Sequence, residues 1–236
     1  MPRYEEMGLV ITQIGSLPLA DPKKAVEYSL KHDIPFLPEL PLLGEGMLSY
    51  IRRPGSLACL AEFKKHRFEV AKVQAVGPAT LILSGFDPDE ALIRVWQHVE
   101  SLLDGLRARE IILFLDEPAL GQAGFDYEEL WRRIFQDFPV IRGVHVCGNM
   151  QWDVLFRSEI LDIISFDASR YDITLYYPRH GKRIAWGITK PQDVRDFRPG
   201  DLLTPPCGLA PPKYTPQDIE EVLALLQRCA QKFRPL

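Results

Sequence analysis

Three residues that favour soft metals stand where a fold can bring them together. His145 and Cys147 lie in Val144-His145-Val146-Cys147-Gly148-Asn149, an apolar run that reads as a strand. Side chains at i and i+2 of a strand share a face, so this imidazole and this thiol can address one ion. A third donor, Cys207, stands in Pro206-Cys207-Gly208-Leu209, where Pro and Gly point to a tight turn at a strand end. Two thiolates and an imidazole suit zinc, and three protein ligands leave one position for a substrate. His-x-Cys alone is equally well explained by a buried cysteine beside an incidental histidine; the second cysteine tips the balance to a metal centre. Asn149 reads as a cap for the following helix. Asp167, in Ile164-Ser165-Phe166-Asp167-Ala168-Ser169-Arg170, is either a fourth ligand or a group orienting His145. The plainer alternatives for it are a helix N-cap or an ion pair with Arg170.

Carboxylates form a second group. Leu115-Asp116-Glu117-Pro118-Ala119 ends a very apolar strand with two acids. Aimed into a cleft they suit a ligand's amino group, although Asp followed by Pro equally suits a helix start. Ile14-Gly15-Ser16-Leu17-Pro18 offers backbone N–H groups and a hydroxyl to a ligand carboxylate, or is an ordinary turn. Glu39 follows an apolar run between Pro38 and Pro41, a setting in which a lone Glu is more often structural. Cys59 and Cys229 fall on helical stretches as packing residues. His32, His66, His98 and His180 read as surface or helix residues, with His180 able to reach a rim from its short segment.

Positioning these groups requires a scaffold, and short apolar runs alternate with amphipathic stretches along the chain. The predicted strands are Gly8–Ser16, Phe36–Leu40, Ala71–Val76, Glu110–Asp116, Val140–Cys147, Ile160–Asp167, Arg183–Gly187 and Leu202–Pro206. Most lack strict alternation, as expected where both faces of a parallel sheet are covered. Predicted helices span Asp21–His32, Asp87–Arg109, Tyr127–Phe138, Met150–Ser158 and Thr215–Phe233; three of them open with Asp-Pro or Thr-Pro, a cap followed by Pro. Eight alternations predict a single (β/α)8 TIM barrel over residues 1–236 with abbreviated helices, the alternative being a doubly wound open sheet. In such a barrel chemistry sits at the C-terminal ends of the strands. Ser16, Glu39, Asp116, Glu117, Cys147, Asp167 and Cys207 all fall at predicted strand ends.

Bulk properties bound the function. The chain has 236 residues and a net charge of −4, which disfavours a nucleic-acid surface because that needs clustered Lys and Arg. No apolar run reaches the roughly 18 residues of a membrane span, and Met1-Pro2-Arg3-Tyr4-Glu5-Glu6 does not resemble a signal peptide. The expectation is a cytoplasmic protein without a membrane partner, whose four widely spaced cysteines remain thiols or metal ligands.

Seven pieces in order then resemble one family. They are Ile14-Gly15-Ser16, Pro38-Glu39, Val76-Gly77-Pro78-Ala79-Thr80, Asp116-Glu117-Pro118-Ala119, His145-Val146-Cys147, Asp167-Ala168-Ser169-Arg170 and Cys207-Gly208-Leu209. Together they are similar to the C-terminal catalytic barrel of cobalamin-independent methionine synthase, within the uroporphyrinogen decarboxylase/methionine synthase-like superfamily. The resemblance implies zinc on His145, Cys147, Asp167 and Cys207, and homocysteine as the thiol. It places the homocysteine carboxylate on Ile14, Gly15 and Ser16 and the amino group at Glu39 and Asp116, with Glu117 beside them. His145, Cys147, Cys207 and Asp116 are the implied catalytic set, and methylation of the thiol to methionine is the implied reaction. Three departures stand out: the family's Glu ligand is Asp167 here, the N-terminal half of the full-length synthase has no counterpart, and the segments after the second and seventh strands are short. Those short segments suggest a methylcorrinoid, carried by a partner protein, in place of methyltetrahydrofolate as donor. The competing expectations are another zinc-dependent thiol alkyltransferase of the coenzyme M type and a non-catalytic zinc-binding accessory subunit.

Overall fold

A computed structural model describes residues 4–8, 10–148, 151–176 and 178–234. Six parallel strands form one sheet in sequential order: β1 Arg67–Val76, β2 Arg107–Asp116, β3 Ile141–Val146, β4 Ile163–Asp167, β5 Arg183–Gly187 and β6 Leu202–Thr204. Eight α-helices accompany them among the described residues: α1 Pro22–Ser29, α2 Met47–Tyr50, α3 Leu60–Phe63, α4 Pro78–Leu83, α5 Pro88–Leu103, α6 Tyr127–Phe135, α7 Trp152–Arg157 and α8 Pro216–Ala230.

The closed eight-stranded barrel is not what the chain forms. The sheet is a six-stranded curled half-barrel, because the first two predicted strands do not become strands. The segment predicted as Gly8–Ser16, in which Leu9 lies outside the described residues, makes single bridges from Ile11 to Leu203 and from Ser16 to Glu39; Phe36 makes another to Lys72. Continuous ladders need consecutive N–H donors, and Pro35, Pro38 and Pro41 have none to give. Extended backbone is still present there, held by isolated bonds such as Glu39 N to Gly15 O at 2.9 Å and Leu37 N to Lys72 O at 2.9 Å.

The remaining elements follow local chemistry. Asp21, Asp87 and Thr215 cap α1, α5 and α8 through their side-chain oxygens, each ahead of a proline, as the Asp-Pro and Thr-Pro pairs predict. Helix α5 stops at Leu103 rather than reaching Arg109, since Gly105 turns with φ of 68° and the chain enters β2 at Arg107. Helix α7 begins at Trp152; Asn149 and Met150, expected to open it, lie outside the described residues. No helix among the described residues is long and apolar enough to cross a membrane.

Strand parity decides what faces the concave side. Val70, Ile112, Phe114, Ile163, Ala185 and Leu202 pack there with Ile14 and Tyr4 as an apolar floor. Continuing two residues at a time brings Lys72 and Gln74 on β1, Asp116 on β2, His145 on β3 and Ser165 on β4 onto the same face. The register Val76–Asp116 and Asp116–His145 levels these strand ends. The opposite face packs on the helices through a larger core that includes Leu113, Leu115, Val144, Trp131 and Val99.

Candidate metal centre

His145, Cys147 and Cys207 converge: one ligand atom of each lies within 4.8 Å of the others. His145 is buried in β3, Cys147 is half-buried just past the strand end, and Cys207 is exposed after β6. The imidazole is oriented by Ser165, whose Oγ lies 3.0 Å from Nδ1. With Nδ1–H donating to that hydroxyl, Nε2 keeps a lone pair, and Nε2 is buried with no hydrogen-bond partner. An unpartnered imidazole nitrogen beside two sulfurs is the donor set that zinc selects, so the residues fit the metal. The two thiols titrate as a pair: the hydrogen bond between them, with His145 beside it, pulls one sulfur, Cys207, below the ordinary thiol range and pushes Cys147 up.

The loop bearing Cys207 is fastened to the turn at Ser16. Leu209 N donates to Ser16 O at 2.8 Å, and a Cβ on Gly208 would meet Ser16 Cβ at 2.9 Å, so only glycine allows this approach. Asp167 is not in the metal group. Its Oδ1 accepts from Ser169 N at 3.0 Å and Ser169 Oγ at 2.6 Å, a local turn of the kind Asp commonly builds.

A cluster of buried polar side chains, Glu39, Lys72, Gln74 and Asp116, accompanies the three donors on the same face of the sheet. Asp116 Oδ2 accepts from Gln74 Nε2 at 2.9 Å, while Oδ1 is buried and unpartnered. Glu39 meets Ser16 Oγ at 3.2 Å and Gln74 Nε2 at 3.5 Å. Burial pushes the Glu39 carboxyl up to about 7 and Asp116 well above the ordinary range, with Lys72 opposing both shifts. Burial likewise holds Lys72 down to about 8; its ammonium donates to Gln74 Oε1 at 2.7 Å and lies 4.7 Å from the centre of the Phe114 ring.

Other expected site residues are placed elsewhere. Glu117, expected beside a ligand amino group, accepts from Ala79 N, Thr80 N, Thr80 Oγ1 and Trp131 Nε1, and so joins β2 to α4 and α6. Burial raises its carboxyl and those bonds oppose the rise. Ile14 is a buried member of the apolar floor, and Gly15 N donates to Gln74 Oε1 at 2.9 Å, which leaves Ser16 as the turn's side chain at the cluster. His180 is exposed in the turn before β5, at the far end from the rim. Cys59 and Cys229 are buried, and so are His32 and His98.

Lys72, Gln74 and Ser165 carry polar groups into the site without having been singled out in the sequence. The available signal was Lys72-Val73-Gln74, two polar residues two apart within an otherwise apolar strand. Compared with known proteins, the chain matches no family model, and no curated protein matches it.

Proposed function

We propose that the protein is a zinc-dependent methyltransferase that activates homocysteine and methylates its sulfur to give methionine. One observation carries this: an imidazole and two thiols that meet within 4.8 Å beside a buried pair of carboxylates, Glu39 and Asp116. His145, Cys147 and Cys207 would hold the zinc. When bound, the metal supplies a Lewis acid that lowers the pKa of a substrate thiol, so that a sulfur nucleophile exists near neutral pH.

The chain's own residues do the rest. Ser165 fixes the imidazole through Nδ1, which leaves Nε2 as the nitrogen that would ligate zinc. Asp116 offers its unpartnered Oδ1 to the substrate ammonium, with Glu39 close by, and the Ser16 turn receives the carboxylate. A charge-assisted bond from an ammonium compensates a buried carboxylate that otherwise lacks a partner. A thiol without an amino group, such as coenzyme M, leaves both acids uncompensated and is disfavoured. Cys207 is exposed, so the reacting sulfur sits at an open rim that a bulky methylcorrinoid can reach.

The test is methionine formation from homocysteine by the zinc-loaded chain, with methylcobalamin and with methyltetrahydrofolate as separate donors. Turnover with methylcobalamin is expected. Absence of methionine with both donors, together with no calorimetric binding of homocysteine, would overturn the proposal. Turnover with methyltetrahydrofolate alone would overturn the choice of donor.

A further inference from the structure

Gln74 has a fixed orientation that can be deduced from its partners. Lys72 Nζ and Gly15 N are donors only, and both face the same atom of Gln74 at 2.7 and 2.9 Å. That atom is therefore the carbonyl oxygen. The amide nitrogen must then face the acids, reaching Asp116 Oδ2 at 2.9 Å and Glu39 Oε1 at 3.5 Å. Packing adds to the lock: a Cβ on Gly15 would stand 2.9 Å from Gln74 Nε2, so the turn lies directly on the amide. The result is an asymmetric Asp116, with one oxygen held and the other, Oδ1, buried and without a partner.

We infer that Gln74, locked by Lys72, is the positioning residue that makes the proposed site select thiols bearing a primary amino group. This rests on the thiol-activating function proposed above. Gln74 touches neither the metal position nor the reacting sulfur; it acts through Asp116. By engaging Oδ2 it leaves Oδ1 as the oxygen open to an ammonium, and by reaching Glu39 it keeps the second carboxylate close by. Without the amide N–H groups the Asp116 carboxylate is free to rotate, and nothing spans the two acids. Removing Lys72 has a related effect, because of these two donors to the carbonyl oxygen only Gly15 N then remains, and the amide is held less firmly.

The experiment compares two ligands on each protein by calorimetry: homocysteine and 4-mercaptobutyrate, which is homocysteine without the amino group. Proteins are the zinc-loaded wild type, Gln74→Leu, Gln74→Met and Lys72→Met, with zinc per chain and far-UV circular dichroism recorded for each. Gln74→Met is unbranched and close in volume, so it serves if Gln74→Leu fails to fold. The wild type is expected to prefer homocysteine by at least about tenfold, the range of one charge-assisted bond. In the Gln74 variants that preference should fall about tenfold while binding of 4-mercaptobutyrate stays within about twofold, and Lys72→Met should shift the same way.

Four results overturn the inference while leaving the proposed function standing. They are a wild type that binds both thiols equally, a preference retained in the Gln74 variants, a preference that increases in them because the amide had been competing with the ligand, or an equal loss for both ligands, which marks a merely structural residue. A wild type that binds neither thiol overturns both.

Discussion

Asp116 and Glu117 are consecutive residues whose carboxylates serve different sides of β2. Asp116 accepts from Gln74 in the polar cluster, whereas Glu117 accepts from the first turn of α4 and from Trp131 on α6. The period of two along a strand separates them, giving one acid to the proposed site and the other to the scaffold. Their substitutions therefore have different consequences.

Glu117→Ala leaves Ala79 N, Thr80 N and Trp131 Nε1 buried without their acceptor. A loss of about 3 kcal/mol is expected in urea unfolding, with zinc per chain unchanged in the folded protein. Glu117→Gln keeps an acceptor and should lose less than half as much. A fall in zinc content with unchanged unfolding midpoint would contradict this placement.

Cys207→Ala removes an exposed sulfur, so the fold should persist. Zinc per chain, expected to be about one in the wild type, should drop after dialysis against a weak chelator, with affinity reduced at least about tenfold. Full retention of metal would show that Cys207 is not a ligand.

Ser165→Ala deletes the hydroxyl at His145 Nδ1. Partners of this kind typically matter about 10- to 100-fold in metal affinity, and a loss at the lower end is expected in competition titrations. Asp167→Ala, by contrast, breaks only the bonds to Ser169 and should leave metal affinity within about twofold. The pair of variants thus separates the two roles open to that strand from its sequence.

Glu39 gives a pH dependence of definite sign. Its carboxyl titrates near 7 in the folded protein against 4.5 ordinarily. Between those values the folded protein keeps a proton that the unfolded chain has released, so stability falls as pH rises through the window and levels off above it. Glu39→Gln is neutral throughout, so its stability relative to wild type should grow from pH 4.5 to 7, by at most about 3 kcal/mol. Lys72, held down to about 8, acts only above that pH. A constant difference in urea midpoints across pH 4.5–7 would contradict the burial of an ionisable Glu39.

Sequence patterns revealed the sheet's strands unevenly, for physical reasons. Arg183–Gly187 is predicted and observed with the same bounds, because an apolar run between turn residues leaves little choice. Strand β1 starts four residues earlier than predicted, since Arg67 and Glu69 alternate with Phe68 and Val70 and their exposed faces hide the strand from a search for apolar runs. The first two predicted strands failed because apolar content marks burial, not ladder formation; in the second, Pro35, Pro38 and Pro41 also remove donors a ladder needs. At the site, His-x-Cys and the distant Cys207 were legible because few other arrangements explain them together. Glu117 was not, since side-chain direction depends on register, and Gln74 was not, since its role arises only from the neighbours Lys72, Gly15 and Asp116.

The hydrogen bond from Leu209 to Ser16 joins points 193 positions apart in the chain. That bond fastens the loop carrying Cys207, which itself lies 60 positions after Cys147, so no fragment carrying His145 and Cys147 alone can complete the donor set. Contacts of such long sequence separation form late, after the loop-closure entropy of the intervening chain has been overcome. Zinc capture at the proposed site would thus report on the finished polypeptide rather than on any partly folded piece.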